Sequence, residues 1–95
     1  MSVLSDDQIT QALVLLPGWG LEDGALAKRY VFEQGFMGAI GFVNGIAAVA
    51  EAVDHHPDID IRGNAVALRL STHSEGGITE KDTALAAECD RVAVG

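Results

Sequence analysis

One cysteine, two prolines and five aromatic residues are all that the 95-residue chain holds of those types. The single thiol, Cys89, excludes an intrachain disulfide and any cysteine-rich zinc site, and it suits a reducing compartment. Basic residues are scarce as well: six Lys and Arg stand against fourteen Asp and Glu, a formal net charge of −8. Nucleic-acid phosphates and anionic membrane surfaces repel such a chain, so neither nucleic acid nor membrane is an expected partner. Long uninterrupted apolar runs are missing too. The densest, Phe36 to Val53, is broken by Gly38, Gly41, Asn44, Gly45 and Glu51, and is read as a core helix instead of a bilayer-spanning one. Met1 to Asp7 shows no basic stretch leading into an apolar one, so no signal peptide is expected and the cytoplasm is the expected location.

What the chain does have is the mix of a folded domain, 48% hydrophobic and 21% charged residues. Its length allows one hydrophobic core, hence a single domain over residues 1–95. A core that small leaves a thin stability margin, which makes self-association an expectation. Ser5-x-x-Gln8 is a capping box, and Ile9, Ala12, Leu13 and Leu16 recur at helical spacing until Pro17-Gly18. Trp19 to Glu22 and Ala25 to Phe32 flank Asp23-Gly24, a hairpin signal, with Leu26, Tyr30 and Phe32 on one face and Ala27, Arg29 and Val31 on the other. Phe36, Ile40, Val43, Ala47 and Ala50 mark one face of a long helix, whose glycines would be offset by close packing on a sheet. Asp58 to Arg62 alternates, Gly63-Asn64 turns, and Ala65 to His73 alternates again. Thr79, with Glu80 and Asp82 in the first turn, opens the last helix. Helix, hairpin, helix, hairpin, helix predicts an α+β domain: a four-stranded antiparallel sheet built from two hairpins, with three helices on one face.

The second hairpin locates the chemistry. A two-residue Gly63-Asn64 turn sets Arg62 against Ala65, Ile61 against Val66, Asp60 against Ala67, Ile59 against Leu68 and Asp58 against Arg69, the last an expected cross-strand ion pair. Extended four residues further, the ladder brings His73 level with Asp54, beside His55-His56, with His73 on the face opposite Val66, Leu68 and Leu70. Three imidazoles are expected to converge there, offering a proton donor and an acceptor near neutral pH, as dehydration or other proton transfer requires. A three-histidine zinc site is the rival reading. It is disfavoured because neighbours such as His55 and His56 point to different sides of an extended segment, so no metal is expected. Asp82 is a candidate support for an imidazole, although a carboxylate three residues after Thr79 is more often structural. Glu51, four residues before His55, is a second candidate support whose direction the spacing does not fix. Gly76-Gly77 is read as a turn and not as an anion cradle.

Glu51-x-x-x-His55-His56-Pro57, then His73 within Ser71-Thr72-His73, then Asp82 after Ile78-Thr79-Glu80-Lys81, resembles the pterin-4a-carbinolamine dehydratases. Pro17-Gly18-Trp19, Tyr30-Val31-Phe32, Phe36 and Phe42 and the closing helix extend the resemblance over nearly the whole chain. It implies a small α+β fold, assembled as a homodimer or homotetramer, that dehydrates 4a-hydroxytetrahydrobiopterin to the quinonoid dihydropterin without metal or cofactor. It also implies a place in tetrahydrobiopterin recycling for an aromatic amino acid hydroxylase. His55, His56 and His73 then correspond to the catalytic acid/base set, Pro57, Thr72, Ser74 and Glu75 line the pterin pocket, and Glu51 and Asp82 support it. One departure stands out: the family pattern has an aromatic residue ten positions before the last histidine, where this chain has Gly63. Animal members also serve as dimerisation cofactors of a homeodomain transcription factor, so a non-catalytic interaction or assembly role is the alternative.

Overall fold

The structure, a computed structural model, describes residues 2–95. Ser5 caps α1 (Asp6–Val14): its hydroxyl accepts from the Gln8 N–H at 3.2 Å while the Gln8 side chain accepts from the Ser5 N–H at 2.8 Å. The first hairpin follows as β1 (Gly20–Glu22) and β2 (Ala25–Val31), turned by Asp23 and Gly24, both at positive φ (49° and 78°) as a tight two-residue turn requires. The long helix α2 (Gly35–Val53) leads to the second hairpin, β3 (Asp58–Arg62) and β4 (Ala65–Leu70), and α3 (Glu80–Val94) closes the chain. The strands form one antiparallel sheet in the order β1-β2-β4-β3, with the three helices on one face. All five cross-strand pairs expected around Gly63-Asn64 are present.

The core lies between that sheet face and the helices. Leu26, Tyr30, Val66, Leu68 and Leu70 project from the strands onto Ile9 of α1, Phe42 and Ile46 of α2, and Leu85 and Cys89 of α3. Alternation decides this: every second residue of β2 and β4 faces the helices, and burying those side chains is the main stabilising contribution. The opposite face is open and forms a broad depression of about 650 Å³, floored by Gly20, Ala27 and Ala67 and rimmed by Arg29, Asp58 and Arg69.

Four expectations need correction. The buried stripe of α2 is Ala39, Phe42, Ile46 and Ala50, and not the predicted Phe36, Ile40, Val43, Ala47 and Ala50, of which only Ala50 is buried. α2 is apolar almost all round, so its periodicity does not choose a face; Phe36 and Met37 lie outward, 56% and 74% exposed. By length and composition alone this 19-residue helix does reach what a bilayer crossing requires, although Ala39, Phe42, Ile46 and Ala50 are taken up by the core. The close sheet packing expected to offset the three glycines is not what they meet: a Cβ at Gly45 would sit 2.6 Å from Val92 Cγ1 of α3 and one at Gly38 2.7 Å from Gln34 Cβ, whereas one at Gly41 would meet nothing within 4 Å. Asp58 and Arg69 are register partners, but the guanidinium reaches across β2 to Glu22, 2.8 Å from its carboxylate and 3.1 Å from its carbonyl oxygen. Ala27, the β2 partner of Arg69, is small enough to let it pass.

Candidate active site

A left-handed residue, Asp54 (φ 52°), ends α2, and the His55 N–H folds back onto the Ala50 carbonyl at 3.1 Å. That closure turns the His55 ring towards the start of α3. There Thr79 caps the helix, and Asp82 completes the capping box by accepting from the Thr79 N–H at 2.9 Å. Asp82 is fully buried, and its second oxygen lies 2.6 Å from His55 Nε2, a ring 12% exposed. Asp82 thus caps α3 through one carboxylate oxygen and meets the His55 imidazole through the other. Thr72 Oγ1 donates to the same oxygen as the Thr79 N–H, at 2.8 Å, and also lies 2.8 Å from Thr79 Oγ1.

The other predicted residues sit around this centre. His56 projects outward, 55% exposed, with Nε2 3.2 Å from Glu51 Oε1; this settles the direction of Glu51, itself 80% exposed at the side chain. Pro57 is half-buried and leads into β3. β4 ends at Leu70, three residues short of the predicted strand, so His73 is not a strand residue. Thr72 bridges back to Gly77, its N–H donating to the Gly77 carbonyl at 2.8 Å, and His73, Ser74 and Glu75 form an exposed 3-10 turn closed by Gly76 at φ 77°. The extrapolated ladder fails because a helix cap and Pro57 occupy one side and this closed turn the other. His73 is exposed as expected, but its link to His55 runs through the adjacent Thr72 and Asp82. Among the described residues no hydrogen bond joins one imidazole to another, and no three His, Cys, Asp or Glu side chains form a cluster suited to a metal ion.

A cavity of about 290 Å³ opens beside His55, lined by Val53, Lys81, Ala84, Leu85 and Glu88 as well as His55. Pro57, Thr72, Ser74 and Glu75 do not line it, and Thr72 is buried with its hydroxyl turned to Asp82. Thr79 escaped the sequence reading as a site residue because its capping role already accounts for it.

A second polar knot went unforeseen. Asp90 on α3 accepts from Lys28 Nζ at 2.8 Å, from the Tyr30 hydroxyl at 2.5 Å and from Trp19 Nε1 at 3.2 Å, and Lys28 also donates to the Pro17 carbonyl at 2.9 Å. The signal was available: Lys28 stands at an inward position of β2, between Leu26 and Tyr30, where a charge needs a partner. Partial burial pushes the Asp90 carboxyl up, but the hydrogen bonds from Lys28, Tyr30 and Trp19 and the Lys28 charge outweigh it and hold the carboxyl below its ordinary value. Burial first, then the bond to Asp90, drives the Tyr30 phenol far above its usual range, which removes it from proton transfer near neutrality.

Residues 2–92 match the family described as Pterin 4 alpha carbinolamine dehydratase. The chain belongs to that family. A relative from Mycobacteroides abscessus, provisionally named a pterin-4-alpha-carbinolamine dehydratase, is 54% identical over 90 residues, 95% of each chain. One from Chloroflexus aggregans with the same provisional name is 48% identical over 92 residues, covering 97% of this chain and 98% of its own. Among solved structures, a transcriptional coactivator/pterin dehydratase from Brucella melitensis superposes with a TM-score of 0.93 at 35% identity, over 97% of this chain and 99% of that one. A pterin dehydratase-like protein identified as a RuBisCO assembly factor of the alpha-carboxysome superposes with a TM-score of 0.64 at 26% identity, over 79% and 86%. Gly63, where the family pattern has an aromatic, takes φ 59° in the tight β3–β4 turn, a conformation that glycine adopts without strain.

Proposed function

We propose that this protein dehydrates a 4a-hydroxytetrahydropterin, taken to be 4a-hydroxytetrahydrobiopterin, to the quinonoid dihydropterin and water, with His55, His56 and His73 as the acid/base set. The reaction breaks the C4a–O bond. One proton must reach the departing hydroxyl and one must leave a ring nitrogen, so a donor and an acceptor serve at the same pH. The observation that carries the reading is the His55–Asp82 pair at 2.6 Å beside a cavity: a buried carboxylate holds one ring nitrogen and leaves the other for chemistry. His56, beside Glu51, and His73, on its exposed turn, supply further proton carriers; substrate contacts at Pro57, Ser74 and Glu75, which lie outside that cavity lining, rest on the family resemblance alone. Family membership supports the rest of the reading, a homodimer or homotetramer recycling tetrahydrobiopterin for an aromatic amino acid hydroxylase, with no metal or cofactor called for by the two proton transfers; the lone thiol of Cys89 supports a cytoplasmic location.

The test is the rate at which the purified protein accelerates dehydration of freshly generated 4a-hydroxytetrahydropterin. Replacing both His55 and His56 by Ala is expected to lower turnover at least about a hundredfold. Near-normal rates in the double variant would remove the histidines from the mechanism. No acceleration by the natural protein would favour the assembly-factor reading, to which the similarity with the RuBisCO assembly factor lends support.

A further inference from the structure

We propose that Thr72 is a positioning residue: through Asp82 it fixes which nitrogen of His55 carries the proton, and it ties the His73 turn to the same carboxylate. The inference rests on the dehydratase reading for its kinetic consequence and on geometry alone for its tautomeric one. A hydroxyl has one proton to give. Thr72 gives its proton to Asp82 Oδ2, so the 2.8 Å contact between the two threonine hydroxyls requires Thr79 to donate and Thr72 to accept. Thr79 Oγ1 in turn accepts from the Lys81 N–H at 3.2 Å. The chain of donors therefore has one direction, from the α3 backbone through Thr79 and Thr72 to Asp82.

Asp82 Oδ2 thus receives two donors, the Thr72 hydroxyl and the Thr79 N–H, which leaves Oδ1 facing His55 Nε2. A carboxylate only accepts, so where the imidazole is neutral the proton shared with Oδ1 belongs to His55 Nε2 and Nδ1 is bare. All of this is desolvated: Thr72 is 3% exposed, and Thr79 and Asp82 are fully buried. Bonds in such surroundings hold their geometry, and among the described residues no buried side-chain polar atom lacks a partner. Thr72 directly precedes His73, so the hydroxyl that orients Asp82 also sets where the His73 turn begins relative to His55. An acid/base pair drawn from two distant segments needs such a fixed point.

The decisive measurement is long-range 15N NMR of the imidazoles, read where the rings are neutral. Natural protein is expected to show His55 with Nε2 protonated and Nδ1 bare, whether or not it proves to be a dehydratase; the reverse tautomer would overturn the proposal. Thr72→Val keeps the shape but removes the donor. It is expected to blur that single-tautomer signature, because Asp82 loses one of the two donors that hold its orientation, and to lower kcat about 10- to 100-fold with KM little changed, while Thr72→Ser restores both. A Thr72→Val protein with the natural tautomer and natural kcat overturns the proposal, as does equal impairment of the Val and Ser variants. Should Thr72→Val fail to fold, the spectrum of the natural protein and the Thr72→Ser comparison decide it. If turnover is absent throughout but the tautomer is as stated, the dehydratase reading fails and the positioning role stands.

Discussion

At the scale of single residues, the molecule spends one carboxylate on two tasks. Asp82 closes the α3 capping box and holds His55, and these demands separate under substitution. Asp82→Ala strips partners from the Thr72 hydroxyl, the Thr79 N–H and His55, each buried or nearly so. At about 1–3 kcal/mol for each orphaned group, a loss of roughly 3–5 kcal/mol in urea unfolding is expected. Asp82→Asn keeps the volume and an oxygen to accept from Thr72 and Thr79, but it turns an amide donor towards His55. Nε2 must then accept, and the proton moves to the other nitrogen. Stability should fall by less than about 2 kcal/mol while kcat drops at least about a hundredfold, the separation a misplaced tautomer produces in hydrolytic triads. If both variants lose stability and activity in proportion, the histidine has no role apart from the fold.

At the scale of elements, contact and propensity oppose each other along α2. Gly45 touches Val92 so closely that a methyl group forces the Val92 side chain or α3 to shift, whereas Gly41 faces open space. Gly45→Ala is expected to cost about 1–2 kcal/mol, overpacking outweighing the helix-propensity gain, and Gly41→Ala to gain up to about 1 kcal/mol in the same urea experiment. A loss at position 41 would mean that this face is covered in the assembled protein. Elements were legible in the sequence wherever a local rule had one solution. Ser5 and Thr79 cap, Asp23-Gly24 and Gly63-Asn64 turn, and a two-residue turn leaves one register for β3 against β4. Reading failed where the outcome depends on a distant partner. The face of α2 is chosen by β4 and α3, the direction of Arg69 by Glu22 two strands away, and the shape of residues 71–77 by the closing bridge from Thr72 to Gly77. The site shows the same division: His55, His56, Glu51 and Asp82 were visible by spacing, but the joining of His55 to Thr72 through Asp82 spans 27 and 10 residues and leaves no periodic trace.

At the scale of the whole molecule, the Asp90 knot fastens the α1–β1 connection, strand β2 and helix α3 at one point, and it should be visible in how stability depends on pH. The Tyr30 phenol is raised by burial and then by Asp90, and the buried Cys89 thiol is pushed up to about 12 by burial and then by the charges of Asp90 and Glu88. Groups raised on folding contribute stability that is complete below their unfolded values, about 8.5 for a thiol and 10 for a phenol, and that drains away as pH rises through the folded ones. An alkaline decline beginning near pH 9 is therefore expected. Asp90 acts on the other limb, because its carboxyl is lower in the folded protein than in the unfolded chain. Its contribution is present above the unfolded carboxyl value, about 3.9, and is lost as pH falls through the lower folded value. Asp90→Asn keeps the shape and removes the charge that Lys28 meets at 2.8 Å, so the variant should be less stable than the natural protein at pH 7. The gap should narrow as pH falls below about 4, where the natural protein protonates the same group. Urea midpoints for both proteins from pH 7 down to pH 2 measure that gap directly. A constant gap would mean that Asp90 acts through packing and hydrogen bonding alone, and that its charge contributes nothing to the junction of β2 with α3.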